Sequence, residues 1–353
     1  ATRRTLAGGM SLMSARAASA VLMDARTGEI ISMVSLPDFD PNDRLKVKGS
    51  ADPSDNPLFN RAVHGLYELG SVFKVFTTAA ALDAGVTSID KGYDAREPLK
   101  VASFTINDFH AKKRWLSVPE IFIYSSNIGS AKMALDLGTK RHQAFLRKAG
   151  LLDRTETELG PAAAPIVPAN WSKLNTMTIA FGHGLSVTPL QFASGAAALV
   201  NGGYKVKPTF LTRARDGVNE DAKRIVKLQT SDLMRYLLRL NVRQGSGKRA
   251  DVPGYRVGGK TGTAEKVVNG RYSKTARLNS FLAVFPMDAP EYLVFVTLDE
   301  PQGVEETGGQ ATSGLNTAPT AGRIIERIGP MLNVTPVFDR KERPFDEHVR
   351  ASY

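Results

Sequence analysis

The stretch Glu68-Leu69-Gly70-Ser71-Val72-Phe73-Lys74 opens the most plainly helical run of this 353-residue sequence. After Ser71, apolar residues recur at helical spacing through Val72, Phe73, Val75, Phe76, Ala79, Ala80 and Leu82, until Gly85 interrupts. Ser71 is therefore predicted to stand at a helix start, where unpaired backbone N–H groups and the positive end of the helix dipole favour negative charge. Lys74 follows three residues on, close to one turn, so its amine reaches the Ser71 hydroxyl from the same face. Apart from Thr77 and Thr78 the helix around it is apolar as far as Leu82, and burial lowers a lysine pKa toward that of a usable base. A lone S-x-x-K is more often an N-cap serine beside a solvated lysine, so the pattern needs support from the rest of the chain.

Composition narrows the field. A chain that is 42% hydrophobic and 23% charged reads as an ordinary soluble globular protein long enough for about two domains. The net charge of +11 is spread out. Its densest runs, Lys112-Lys113-Arg114 and Arg340-Lys341-Glu342-Arg343, are short and lack interleaved aromatics, so they read as solvated surface rather than a nucleic-acid site. Cysteine is absent, and the five histidines, His64, His110, His142, His183 and His348, have no metal-ligand spacing. No metal or cofactor is expected. No apolar run reaches the roughly 18 residues of a membrane span, and the first residues do not read as a signal peptide. The numbering is expected to begin inside a longer protein.

Along the chain, residues 1 to 17 read as a linker. Ala20 to Asp24 and Ile30 to Val34 read as a hairpin across Arg26-Thr27-Gly28-Glu29, and 35 to 60 as loop. Beyond the Ser71 helix and an irregular stretch, helices are predicted at 119–124, 129–137, 140–148, 189–200, about 230–242 and 318–328. Three prolines make 160–170 an extended loop. Strands are predicted at 260–266, 280–285 and 292–298, with Asn269-Gly270 as a hairpin turn, and a charged tail at 331–353. Strands from both ends of the chain are expected to pair into one antiparallel sheet around a helical middle, an α+β or sandwiched α/β/α arrangement.

Gly254 to Thr261 fits the phosphate-binding pattern G-x-x-x-x-G-K-[ST], and Tyr292 to Glu300 ends in the acidic pair that could hold magnesium. The context argues against it. Such a loop needs a buried strand before it and a helix after it, whereas Arg249 to Pro253 is not a buried strand and the residues after Thr261 read as a strand. The same Lys260-Thr261-Gly262 makes better sense as the third of three motifs in order: Ser71-x-x-Lys74, then Ser125-Ser126-Asn127 at a break between two helical patterns, then K-T-G.

S-x-x-K, S-x-N and K-T-G in this order resemble the penicillin-recognising serine acyltransferases, the penicillin-binding proteins and serine β-lactamases. Asp24 to Ile30, Arg61 to Ser71, Phe181 to Gln191 and Gly259 to Ala264 extend the resemblance over roughly residues 18 to 330. It points toward the division-associated class B transpeptidases of Gram-negative bacteria.

The resemblance implies a penicillin-recognising α+β fold, an antiparallel sheet flanked by helices with an all-helical subdomain. Its implied substrates are peptidoglycan stem peptides ending in D-Ala-D-Ala, with β-lactams acylating the same serine. Ser71 would be the nucleophile, Lys74 its base, Ser125 the proton relay and Asn127 a partner of Lys74 and the substrate amide. The backbone N–H groups of Ser71 and Thr263 would form the oxyanion hole, where each donor is worth roughly 3 kcal/mol. Lys260 would supply positive field, and Thr261 and Thr263 would bind the terminal carboxylate. Gly262 would let the donor lie alongside the strand. The resemblance also implies a place at the periplasmic face of the inner membrane, and partnership with a glycan polymerase and division proteins through N-terminal regions absent from this sequence.

The rivals are a serine β-lactamase or D,D-carboxypeptidase, and a β-lactam-sensing domain. Arg154 to Gly160 is similar to the segment in which class A β-lactamases keep a deacylating glutamate, here Glu156, but Gly160 replaces the expected asparagine. His183, between two glycines, reads as a loop histidine, and the glycine-rich 308–314 as an exposed loop by default, with a mobile loop near the site as the alternative.

Overall fold

The computed structural model describes residues 1–43, 48–101, 104–215, 222–268 and 270–338. Its centre is a five-stranded antiparallel sheet. The strands are β1 (Ala17–Asp24), β2 (Ile30–Leu36), β3 (Gly258–Val268), β4 (Arg271–Phe285) and β5 (Tyr292–Asp299), in the spatial order β3-β4-β5-β1-β2. β1 pairs with β5 along its whole length, Ala17 opposite Asp299 and Asp24 opposite Tyr292. The expected union of strands from both ends of the chain is thus realised, and it leaves β3 on an open edge.

Period-two alternation decides which layer each strand residue joins. Val21, Met23, Leu282, Leu293 and Phe295 face one core, shared with the apolar side of α2 (Lys74–Asp83) and with α7 (Pro189–Ala197). Ala20, Leu22, Phe281, Val294 and Val296 face the other, closed by α1 (Thr2–Leu12) and α9 (Thr317–Ile328). A third cluster lies within the helical subdomain, where Ala81 of α2 meets α3 (Val118–Ile123), α4 (Asn127–Leu137) and α6 (Lys173–Ile179), with α5 (Thr139–Lys148) alongside. α8 (Leu228–Gln244) supplies Met234, Leu237 and Leu238 to the first core.

Three expectations change. Residues 1–17 are not a linker: residues 2–12 form α1, with Leu6 fully buried and Gly9 so close to α9 that a Cβ there would stand 2.6 Å from the Thr320 hydroxyl. Gly8 and Gly9 hide this helix from sequence reading, because tertiary packing rather than propensity holds it. β4 begins at Arg271 rather than 280, since its first half is polar and carries no apolar alternation. The α6 helix was not anticipated, although Ser172 caps it through a capping box with Asn175. Of the expected Asn269-Gly270 turn, Gly270 has φ +76° and Asn269 lies outside the described residues, as do residues 339–353 of the charged tail.

Candidate active site

The turn that carries Ser71 is a 3₁₀ turn, Gly70–Phe73, running directly into α2. Gly70 has φ +61°, a conformation glycine adopts without penalty, and its N–H donates to Gly182 O at 3.2 Å. A Cβ on Gly70 would lie 2.5 Å from Thr263 O, and one on Gly182 would lie 2.1 Å from Gly70 O. The nucleophile turn is therefore wedged, backbone against backbone, between β3 and the 182 loop. That places the Ser71 N–H, which belongs to a helix's first turn and has no intrahelical acceptor, beside the Thr263 peptide.

Lys74 is 1% exposed. Its Nζ stands 3.0 Å from Ser71 Oγ, 3.1 Å from Ser125 Oγ and 2.7 Å from Asn127 Oδ1, and it also donates to the Ser125 carbonyl. The Asn127 and Ser125 carbonyl oxygens can only accept. In a neutral amine they take both N–H groups, and the remaining lone pair faces the hydroxyls. Burial, and next the positive charge of Lys260, hold the Lys74 pKa well below the ordinary lysine value, with Asp108 opposing.

Lys260 is fully buried, its Nζ 2.9 Å from the same Ser125 Oγ and 5.8 Å from the centre of the Phe122 ring; burial lowers its pKa to about 7. Two amines thus converge on one hydroxyl oxygen. When Lys260 donates to that oxygen, the proton of Ser125 is directed elsewhere, so the residue is set up to pass a proton on.

Ser125 has φ +58°, in the left-handed region that a non-glycine residue enters at a cost of about 1 kcal/mol or more. It occupies the corner between α3 and α4, and the start of α4 is clamped from outside. Asp108 accepts from the N–H groups of Asn127 (2.6 Å) and Ile128 (3.0 Å) and from the Ser126 hydroxyl (2.7 Å), while Asn127 Nδ2 donates to Asn107 O at 2.9 Å. Asp108 went unnoticed in the sequence because it lies in an irregular stretch, and nothing local links it to Asn127. Asp108→Ala should cost about 1–2 kcal/mol of stability, as loss of a helix cap does, and slow acylation about tenfold through a looser Asn127. Urea unfolding and the acylation rate with a chromogenic cephalosporin check both numbers.

On β3 the cleft-facing row is Thr261, Thr263 and Glu265, which line a cavity of about 590 Å³ together with Ser71, Ser125 and Asn127. Thr261 Oγ1 lies 2.6 Å from Ser246 Oγ, and Thr263 Oγ1 lies 2.8 Å from Ser313 Oγ. Ser313 also bonds to the Gly262 carbonyl. The 308–314 segment, expected as an exposed loop, hence forms a wall of the cleft through Gln310, Thr312, Ser313 and Gly314.

Gly262 is glycine for a reason other than the expected one. A Cβ there would meet Leu69 O and Ser280 Oγ at 2.4 Å and Val72 Cβ at 2.9 Å. It faces the nucleophile turn and not the cleft, and lets β3 approach that turn. His183 is a loop histidine, as read, but it also lines the cleft, its ring packed against Tyr272 and Phe181, and burial lowers its pKa.

Residues 18–326 match the family profile described as penicillin binding protein transpeptidase domain. The chain belongs to this penicillin-binding transpeptidase family. A protein of Caulobacter vibrioides named probable peptidoglycan D,D-transpeptidase FtsI is 40% identical over 90% of this chain and 54% of its own length. The PenA protein of Neisseria meningitidis, serogroup A, is 34% identical over 84% of the chain and 49% of its own length. The chain thus spans about half the length of the curated relatives it matches. Among solved structures, the transpeptidase domain of Burkholderia pseudomallei penicillin-binding protein 3 superposes with a TM-score of 0.82 at 28% identity, covering 95% of this chain and 94% of that one. Mycobacterium tuberculosis penicillin-binding protein 3 in complex with aztreonam gives 0.83 at 28% identity, covering 95% and 77%.

The phosphate-loop alternative has no support in this transpeptidase domain. Lys260 lies within a strand with its amine buried against Ser125, and Asp299 and Glu300 are both paired to Lys266 at 2.7 Å. Glu156 does not line the Ser71 cleft. It borders a separate cavity of about 320 Å³ with Arg154, Lys205 and Lys207. Glu156→Gln is therefore expected to leave the lifetime of a penicillin adduct unchanged. A class A type deacylating base would lengthen it by roughly 10²- to 10⁴-fold when removed, and time-resolved mass spectrometry distinguishes these results.

Proposed function

We propose that the domain is a peptidoglycan D,D-transpeptidase that crosslinks stem peptides during septal wall synthesis. The observation that carries this reading is the buried Lys74 amine 3.0 Å from Ser71 Oγ, with no carboxylate bonded to it among the described residues and with Ser125 shared between it and Lys260. Ser71 Oγ attacks the carbonyl of the penultimate D-alanine as its proton passes to Lys74. The oxyanion forms at the Ser71 and Thr263 N–H groups, preset donors of the kind that lower such barriers most. Lys74 returns the proton through Ser125 to the departing nitrogen, the C–N bond breaks, and terminal D-alanine leaves an ester on Ser71. The amine of a second stem then attacks that ester and loses its proton along the same relay, which restores Ser71 and leaves an amide crosslink.

The terminal carboxylate is recognised at the Thr261 and Thr263 hydroxyls, in a cleft that Lys248 and Arg249 also line. No described helix is long and apolar enough to cross a membrane. In our reading the anchor and the contacts with a glycan polymerase and division proteins belong to the other half of a longer chain, and the domain works at the periplasmic face of the inner membrane. Intact mass after incubation with benzylpenicillin tests the proposal. One drug mass on the peptide containing Ser71, persisting for hours, is the expected result. No adduct, or an adduct lost within seconds with drug turnover, would overturn it.

A further inference from the structure

The cavity of about 320 Å³ that Glu156 borders shares no lining residue with the Ser71 cleft. Four cations line it, Arg154, Lys205, Lys207 and Lys223, against two anions, Asp153 and Glu156. Lys205 and Lys223 stand directly opposite each other in a short antiparallel ribbon, Tyr204–Lys205 with Lys223–Arg224. Like charges in that register destabilise the pairing. Neither amine has a hydrogen-bond acceptor or an ion-pair partner among the described residues. Arg224, the next ribbon residue, is by contrast engaged: its guanidinium lies 4.2 Å from the centre of the Tyr204 ring and donates to Gly202 O at 3.0 Å.

The nearby carboxylates do not settle this charge. Asp153 pairs with Arg147 at 3.8 Å, and Glu158 already accepts from the Thr209 hydroxyl and the Phe210 N–H. Lys205 is half-buried, and burial lowers its pKa, with Asp153 opposing and Lys223 adding to the shift. The cavity floor is polar and incomplete. Gln191, 2% exposed, donates through Nε2 to the carbonyls of Gly150 (2.8 Å) and Asp153 (2.6 Å). Those bonds fix the amide and leave Oε1 buried without a partner, which is costly for an acceptor. Gly150 admits the lysine, since a Cβ there would stand 2.4 Å from Lys205 Nζ.

We propose that this cavity binds a small phosphate monoester that also carries a hydroxyl group. Its phosphoryl oxygens bridge Lys205 and Lys223, with Arg154 and Lys207 at the rim, and its hydroxyl completes the Gln191 amide. Four lining cations against two anions leave room for a dianion, and a phosphate monoester near pH 7 carries close to two negative charges on three strong acceptor oxygens. A carboxylate offers one charge and two oxygens. The volume lies at the small end of ligand pockets and suits a molecule of a few carbons.

Glycerol 3-phosphate is the probe, with propyl phosphate and glycerol as comparisons, in calorimetric titration at low salt. One charge-assisted contact is worth about tenfold. The expected result is one saturable site for glycerol 3-phosphate, binding about tenfold weaker for propyl phosphate, and none for glycerol. Lys205→Gln and Lys223→Gln should each weaken the probe about tenfold while still taking one benzylpenicillin on Ser71. Without the probe each variant should melt no lower than wild type, because a like-charge pair is gone; with it, wild type should gain the larger shift. Vesicles of phosphatidylcholine with or without phosphatidic acid separate the sources of the ester. Co-sedimentation that glycerol 3-phosphate reverses would make it a lipid headgroup, and no co-sedimentation a soluble molecule. No saturable binding of glycerol 3-phosphate, equal binding of propyl phosphate, or binding unchanged in both lysine variants would overturn the site.

Discussion

Lys74→Arg is expected to fold yet to be acylated by benzylpenicillin at least about 10³-fold more slowly than the wild type, within the range typical of general-base loss. The substitution keeps the positive charge and removes the lone pair, because a guanidinium does not give up its proton near neutral pH. If Lys74 served as a structural cation for Asn127 and the Ser125 carbonyl, arginine would largely replace it. Stopped-flow acylation gives the rate and thermal melting checks the fold, and an arginine variant within tenfold of wild type would remove Lys74 from the chemistry. The pH dependence has a definite sign. Lys74 acts as base only when unprotonated, so acylation should fall as pH drops through its lowered pKa. Stability follows the other buried amine: Lys260 is lowered to about 7 from an ordinary 10.5, so the unfolded chain holds a proton that the folded one releases. That penalty is fully present below about 7 and is relieved as pH rises toward 10.5, so this group makes unfolding harder across that window.

Gly262→Ala should slow acylation about 10²-fold, with a loss of roughly 1–3 kcal/mol in stability. The added methyl would stand 2.4 Å from Leu69 O and 2.9 Å from Val72 Cβ, contacts that no rotamer relieves. β3 and the nucleophile turn must therefore part, at the usual cost of overpacking. The Thr263 N–H then moves relative to Ser71 Oγ, and a displacement of about 1 Å at a reacting centre costs on the order of 10²-fold. Denaturant titration and acylation kinetics on one preparation test both parts. Wild-type values for both would mean that the glycine is not a spacer. Unchanged stability with lost acylation would favour direct contact between Gly262 and the donor.

What was legible in the sequence follows the range of the interactions. Ser71 and Lys74 lie one turn apart, so apolar spacing alone predicts their contact and the burial of the amine. Their assembly with Ser125, Asn127 and Lys260 rested on three short motifs taken together, and the hydrogen bonds around Lys74 and Ser125 bring those residues together. Asp108 and Ser246 carried no signal, because each acts on a partner brought near only by folding and sits in a stretch without periodicity; for Ser313 the small polar composition of 308–314 offered a loop near the site only as the lesser alternative. Gly262 was recognised but given the wrong neighbour, since a glycine in a strand reports close approach without saying what approaches. α1 was missed because its small residues read as flexible until α9 is placed against them.

The pairing of β1 with β5 has a consequence for how the molecule is made. β1 and β5 lie near opposite ends of the domain's sequence, so the middle of the sheet closes only after nearly the whole domain is available. Such high contact order slows folding, because loop closure must precede the reward of pairing. Until then the β1–β2 hairpin has one unpaired flank, Ala17 to Asp24, fully buried in the finished sheet and a ready template for misassembly. Any truncation before Asp299 leaves that flank exposed, so the domain is expected to tolerate loss of residues after α9 far better than loss of any part of β5.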